Sequence, residues 1–196
     1  TESSNGSFTA YKYYGSGAVH KEIESFNRST YSENEADHKV TEYDYTPVLT
    51  GDDGSVSGGS ARTVTVSILG QVVSKTYYGY EAGKETTIRA ATPTSSPTDP
   101  KNLVSYRTFH TSGDFEGRSI LSVDENGLAT KYSYATEVDS ETSVETETSI
   151  VERGQLDNGN IVKGSKTVSV TIANLEVSTE SYDIASGLLL SSRTVL

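Results

Sequence analysis

Apolar and polar residues alternate with a period of two along much of this chain. In TVTVSI (63–68), Val64, Val66 and Ile68 fall on one side and Thr63, Thr65 and Ser67 on the other; TVSVTI (167–172) repeats the arrangement with Val168, Val170 and Ile172. That period marks a strand with one face buried, so both stretches are predicted as strands with their valines inward. GDDGS (51–55), DENG (124–127) and LDNGN (156–160) interrupt the alternation. Asn, Asp and Gly accept positive φ, so each reads as a tight turn. No stretch sustains a 3.6-residue period. The chain reads as all-β, with about 12 to 16 strands at this turn spacing.

The alternation is written twice. RTVTVSILGQVVSKTYYGYEAGKETTIR (62–89) and KTVSVTIANLEVSTESYDIASGLLLSSR (166–193) align without a gap at an offset of 104, with nine of 28 positions identical. Upstream, YKYYGSG (11–17) resembles YRTFHTSG (106–113), HKEIESFN (20–27) resembles GRSILSVD (117–124), and VTEYDY (40–45) resembles ATKYSY (129–134). DDGSVSGGSAR (52–62) resembles DNGNIVKGSK (157–166), one residue shorter. The Pro-rich stretch between the copies carries Pro93, Pro97 and Pro100, a breaker signal. The expected organisation is a first β-repeat unit at 1–92, a linker at 93–102 and a second unit at 103–196. The two units are expected to superpose, with 62–89 and 166–193 on the same strand–turn–strand path. Length changes between the copies fall in the 28–39 region of the first and in the acidic 137–152 segment of the second. Five Glu and one Asp in that segment cannot be buried without partners, so it is predicted as an exposed hairpin or edge whose removal (138–150) leaves the fold largely intact.

Composition then narrows the function classes. The 196 residues include 54 Ser and Thr and 13 Tyr, with no Trp, Met or Cys. Thr, Tyr and Val favour strands. The net charge of −11 opposes nucleic-acid binding, which needs a basic footprint, and docking on anionic membranes. No apolar run is long enough for a spanning helix. Without Cys there is neither a disulfide nor a thiolate metal site. The opening TESSNGS reads as the start of a processed or excised segment of an extracellular or surface protein.

The repeated pattern resembles a known family. GRSILSVDENGLATKYSYA (117–135) is similar to the YD repeat, also called the rearrangement hot spot (Rhs) repeat: Gly-Arg, strand, Asp-x-x-Gly, strand, Tyr-x-Tyr. STESYDIASGLLLSSRT (178–194) resembles the Tyr-Asp-x-x-Gly-Arg turn, with Leu188 in place of Arg and one extra residue before Gly187. TEYDY (41–45) and TYYGYEAGK (76–84) are shorter matches. The resemblance implies tandem β-hairpins coiled into an extended, curved antiparallel sheet, without catalysis by the repeats. It also implies either a wall segment of a toxin-enclosing shell or a part in cell adhesion. Tyr13, Tyr43, Tyr45, Tyr78, Phe109, Tyr132, Tyr134 and Tyr182 recur at matching places and are expected to pack between hairpins.

Candidate chemistry is sparse. His20, His38 and His110 show no ligand spacing and no catalytic signature, so no catalytic residue, cofactor or metal is expected. The Asp/Asn/Gly turns at 52–54, 124–127 and 157–160 carry oxygens that suit Ca²⁺, yet none matches a twelve-residue EF-hand loop, and hairpin turns account for them without an ion. Gly58 and Gly59 precede no helix, which argues against a phosphate cradle. Tyr13, Tyr14, Tyr77, Tyr78 and Tyr80 form either a packing ladder or a platform for sugars.

The C-terminal stretch holds Leu188, Leu189, Leu190, Val195 and Leu196, an apolar edge with no cap. Uncapped, self-similar ends fit a slice of a longer array or copies joined head to tail into a filament. The favoured expectation is a non-enzymatic extracellular structural protein whose partners are copies of itself. The alternatives are the shell segment and a glycan- or receptor-binding adhesion module.

Overall fold

The computed structural model describes residues 1–4, 6–25, 28–49 and 61–195. The GDDGS turn, Gly58, Gly59 and Leu196 lie outside these. The chain divides into two compact units, Thr1–Val104 and Ser105–Leu196. It is all-β, and no α-helix occurs among the described residues.

The first unit holds β1 (Phe8–Tyr13), β2 (Val19–Ser25), β3 (Lys39–Asp44), β4 (Thr63–Ile68), β5 (Gln71–Glu81) and β6 (Lys84–Arg89), each antiparallel to the next. The second contains β7 (Leu103–Phe109), which begins just before the division, and β8 (Ser119–Val123), β9 (Leu128–Val138), β10 (Glu145–Asp157), β11 (Asn160–Ile172), β12 (Leu175–Asp183) and β13 (Leu189–Thr194), again a sequential antiparallel meander. Two-residue turns with positive φ at both positions close four hairpins: Leu69 and Gly70, Ala82 and Gly83, Asn158 and Gly159, Ala173 and Asn174. Their twist matches that of the flanking strands. The DENG turn is held by the Asp124 carboxylate, which accepts from the backbone N–H of Asn126 and of Leu128, both at 2.9 Å.

In the first unit, irregular segments cover one sheet face. Thr63, Tyr77 and Ile88 are direct cross-strand partners, so they share a face, and all three are buried. Turns at 91–102 close over them: the Tyr77 hydroxyl donates to the Ser95 carbonyl at 2.6 Å. Asn102 ties those turns together, accepting from the Ala91 N–H and donating to the Ser96 carbonyl. The Leu49 side chain lies against the same face, where a Cβ on Gly79 would collide with it. Farther along, Ile23 and Val40 pair and are buried. Lys21, two residues from Ile23, reaches Glu35 at 2.6 Å and Glu42 at 2.8 Å. Burial alone would lower the Lys21 pKa, but the two carboxylates outweigh it and hold it above its usual value; Lys21 in turn holds Glu35 below the usual carboxylate value.

The second unit has short turns and long strands, up to 13 residues. Residues 166–171 and 177–183 are half-buried at successive positions, not alternately, as in a single layer with both faces partly wetted. Its small core is Val123, Ala129 and Ile161, flanked by Tyr106, Leu121, Leu156 and Ile184. Beside it Gly154 and Gly164 face each other. A Cβ on either would overlap the other strand's backbone, so glycine is what permits this approach.

Three expectations change. Val64, Val66, Val168 and Val170 are half-buried, not inward, because they lack a covering layer; in the first unit the cover lies over Thr63 instead. The acidic 137–152 segment forms a hairpin, exposed over 137–145 and half-buried over 146–152, but it is not a sheet edge. Residues 145–152 belong to β10, paired on both sides by β9 and β11, so removing 138–150 would cut an interior strand. Finally, the units do not superpose as wholes. β3 and β4 are antiparallel neighbours, whereas β9 and β11, their counterparts by sequence match, are both antiparallel to β10 and hence parallel to each other.

Local correspondences persist around that extra strand. Register shifts fall between Lys12 and Tyr13 and between Thr108 and Phe109, 96 residues apart. They recur between Val66 and Ser67 and between Val170 and Thr171, 104 residues apart. The second hairpin of each matched stretch diverges: Glu81 and Lys84 flank a two-residue turn, whereas the β12–β13 connection is wider and closes through Asp183 and Leu188.

Candidate functional site

Each unit holds a groove on its sheet, built from matched residues. In the first, β4 supplies Val64, and Arg62 lies just before that strand. β5 supplies Tyr78, whose backbone N–H donates to the Arg62 carbonyl at 2.9 Å. Tyr43 and Tyr45 close one wall, and Glu85, Thr86 and Thr87 of β6 the other, around about 470 Å³. In the second, Lys166, Val168 and Tyr182 stand 104 residues on, with Glu152 and Asp183, around about 440 Å³. Lys166 is the direct cross-strand partner of both Glu152 and Tyr182.

The two differ in detail. Burial, then Glu22, pushes the Tyr43 hydroxyl up to about 12, so it remains a proton donor. Arg62 is only 5% exposed. In the second groove the Tyr182 hydroxyl donates to Glu180, and this raises its pKa. Asp183 is held low by hydrogen bonds from the Ser186 hydroxyl and backbone N–H.

The remaining aromatics form clusters. Tyr14 lies 4.6 Å from His20 and 5.9 Å from Tyr45, and its hydroxyl donates to the Tyr43 carbonyl. The Tyr45 hydroxyl donates to the Val19 carbonyl. Tyr13 stands near Tyr11 at the surface. In the second unit His110 lies 6.1 Å from Tyr134, which packs on Phe115 and under Arg118. Burial raises the Tyr134 pKa although Arg118 works against it. Arg118 also meets Glu147 at 2.6 Å. Phe109 lies beneath Arg107, and Tyr132 pairs with Val151. His38 is buried, bonded to the Ser32 backbone and stacked on Tyr31. Among the described residues no group of three His, Asp or Glu is placed to hold a metal. Tyr77 and Tyr78, adjacent in β5, point to opposite faces and do not join one platform.

Leu188, Leu189, Leu190 and Val195 are between 45% and 63% exposed. All six residues of β13 are exposed. Sequence reasoning passed over Arg62 and Lys166, although the cation opening each matched stretch was the available signal.

No known family model matches the chain, and no curated protein matches it.

Proposed function

We propose that this chain is a non-enzymatic extracellular structural protein that associates with its own copies through an array of YD-like β-hairpins. The observation that carries this reading is β13: six exposed residues, hydrogen-bonded to β12 on one side, with Arg193 its only charge. Edge strands of soluble proteins are usually guarded by several charges, proline or a bulge; β13 carries a single charge and a register shift at Leu190, near its start, which leaves 191–194 as the regular open edge. A further strand satisfies the backbone groups and covers the leucines. The matched bulges and aromatic clusters support a repeated hairpin design, and the best YD-like stretch coincides with the β8–β9 hairpin. On the receiving copy, β1 is bridged by residue 2 at Phe8, so the joint engages the Tyr11 to Tyr13 end of that strand.

The test is sedimentation of the 196-residue chain at micromolar concentration, with and without Ser192→Pro. The Val195 N–H donates to Val177, so by alternation the Ser192 N–H points away from β12, and proline there blocks an added strand without removing an internal bond. Polymers from the unaltered chain that Ser192→Pro reduces to monomers are expected. A strict monomer at every concentration overturns the proposal.

A further inference from the structure

We infer that each unit carries a groove for a neutral oligosaccharide, one centred on Tyr78 and the other on Tyr182. Three observations converge, none of which depends on self-association. First, the grooves are nearly equal, about 470 and 440 Å³, within the range of ligand sites. They are built on the same Arg/Lys, Val and Tyr positions despite the extra strand between the flanking segments. Second, each holds a cation and a carboxylate in its lining: Arg62 with Glu85, on either side of β5, and Lys166 beside Glu152, its direct cross-strand partner. With its cation offset by a carboxylate, such a lining gives a polyanion no net attraction, and a purely apolar ligand would strip it of water at a penalty. A polyhydroxyl ligand meets both needs, since each hydroxyl donates and accepts. Third, the apolar groups stand directly beside the charged ones. Lys166 lies opposite Tyr182 on the neighbouring strand, a separation of about 5 Å, which suits one sugar ring with its C–H face on the aromatic and its hydroxyls toward the charges. Tyr78 is 36% exposed, leaving part of its surface open.

The first groove has two further tyrosines on its wall and binds more tightly. The second has an additional acid, Asp183, and binds more weakly.

Proton–nitrogen NMR titration of the full chain with cellohexaose and with chitohexaose tests this; Ser192→Pro is used as the background if the unaltered chain polymerises. At least one hexaose is expected to shift two separate sets of amides, around Tyr78 and around Tyr182, below about 10 mM. Tyr78→Ala abolishes the first set and leaves the second, Tyr78→Phe restores the first, and Lys166→Gln weakens the second about tenfold. Silence from both hexaoses up to that concentration, shifts confined to other surfaces, or a response only to polygalacturonate overturns the inference.

Discussion

Position 79 in the first unit and position 183 in the second correspond at the 104-residue offset, yet one is Gly and the other Asp. Gly79 faces Leu49, and no Cβ fits between them. Asp183 lies at the open end of β12, where its carboxylate organises the turn through Ser186. The same contrast runs through both halves. The first unit folds loops back over one sheet face and buries Ile23, Val40, Tyr77 and Ile88 there. The second keeps its turns short, extends its strands and leaves both faces half-wetted, apart from the cluster beside Gly154 and Gly164. A strand pattern of this kind specifies a ladder; connecting segments decide whether a face of it becomes core.

The contrast breaks most readily at the glycine pair. Gly164→Ala places a methyl into the Arg153 backbone at a residue with φ of +140°, and a loss of about 3 kcal/mol or more is expected. Urea unfolding followed by amide hydrogen exchange should show protection falling first in β10 and β11. Unchanged protection there would mean that the close approach is not what holds the second unit's core.

Gly79→Ala tests the cover of the first unit. Leu49 can shift, so the expected loss is about 1–2 kcal/mol, seen in the denaturation midpoint. Asp183→Ala, at the corresponding position, should leave strand protection outside its own turn unchanged. Equal effects at the two sites would erase the distinction between covered and open faces.

The smallest effect concerns the ion pairs over the first unit. Glu35 is held below its usual 4.5 by Lys21, so its contribution is present above pH 4.5 and fades as pH falls through the folded value. Lys21 is held above 10.5, so its contribution is present below pH 10.5 and is lost as pH rises through the folded value. Glu35 and Glu42 are both more than a third exposed, and solvent screens such pairs to less than about 1 kcal/mol. Stability measured between pH 6 and pH 3 should decline slightly more steeply in the unaltered chain than in Glu35→Gln. Parallel curves would remove Lys21 and Glu35 from the cover.

Much of the ladder was legible in the chain. Alternation at 63–68 and 167–172 marked β4 and β11, and the DENG and LDNGN turns fell between strands because their chemistry is local. Which side of a strand would be covered was not legible. That depends on where 46–49 and 91–102 travel, and tertiary placement of an irregular segment leaves no period in the sequence. Hence Thr63 is buried while Val64 is half-open. Turns at Leu69, Ala82 and Ala173 were also hidden, since these residues adopt positive φ only under pressure from the paired strands. The acid-rich run was legible as an exposed hairpin but not as the start of an interior strand: a run of acids suggests an edge, but in a single layer even an interior strand keeps side chains in water.

The extra strand β10 has a mechanical consequence. A six-strand meander begins and ends at the same end of its strands; a seven-strand meander ends at the opposite one. Tension applied through the outer strands of the first unit would peel it open, loading backbone bonds one after another. The same tension on the second unit pulls along the strands and loads whole ladders at once. The second unit is therefore the stiffer link under load, although it has the thinner core, and the first would yield earlier and lengthen as it did so.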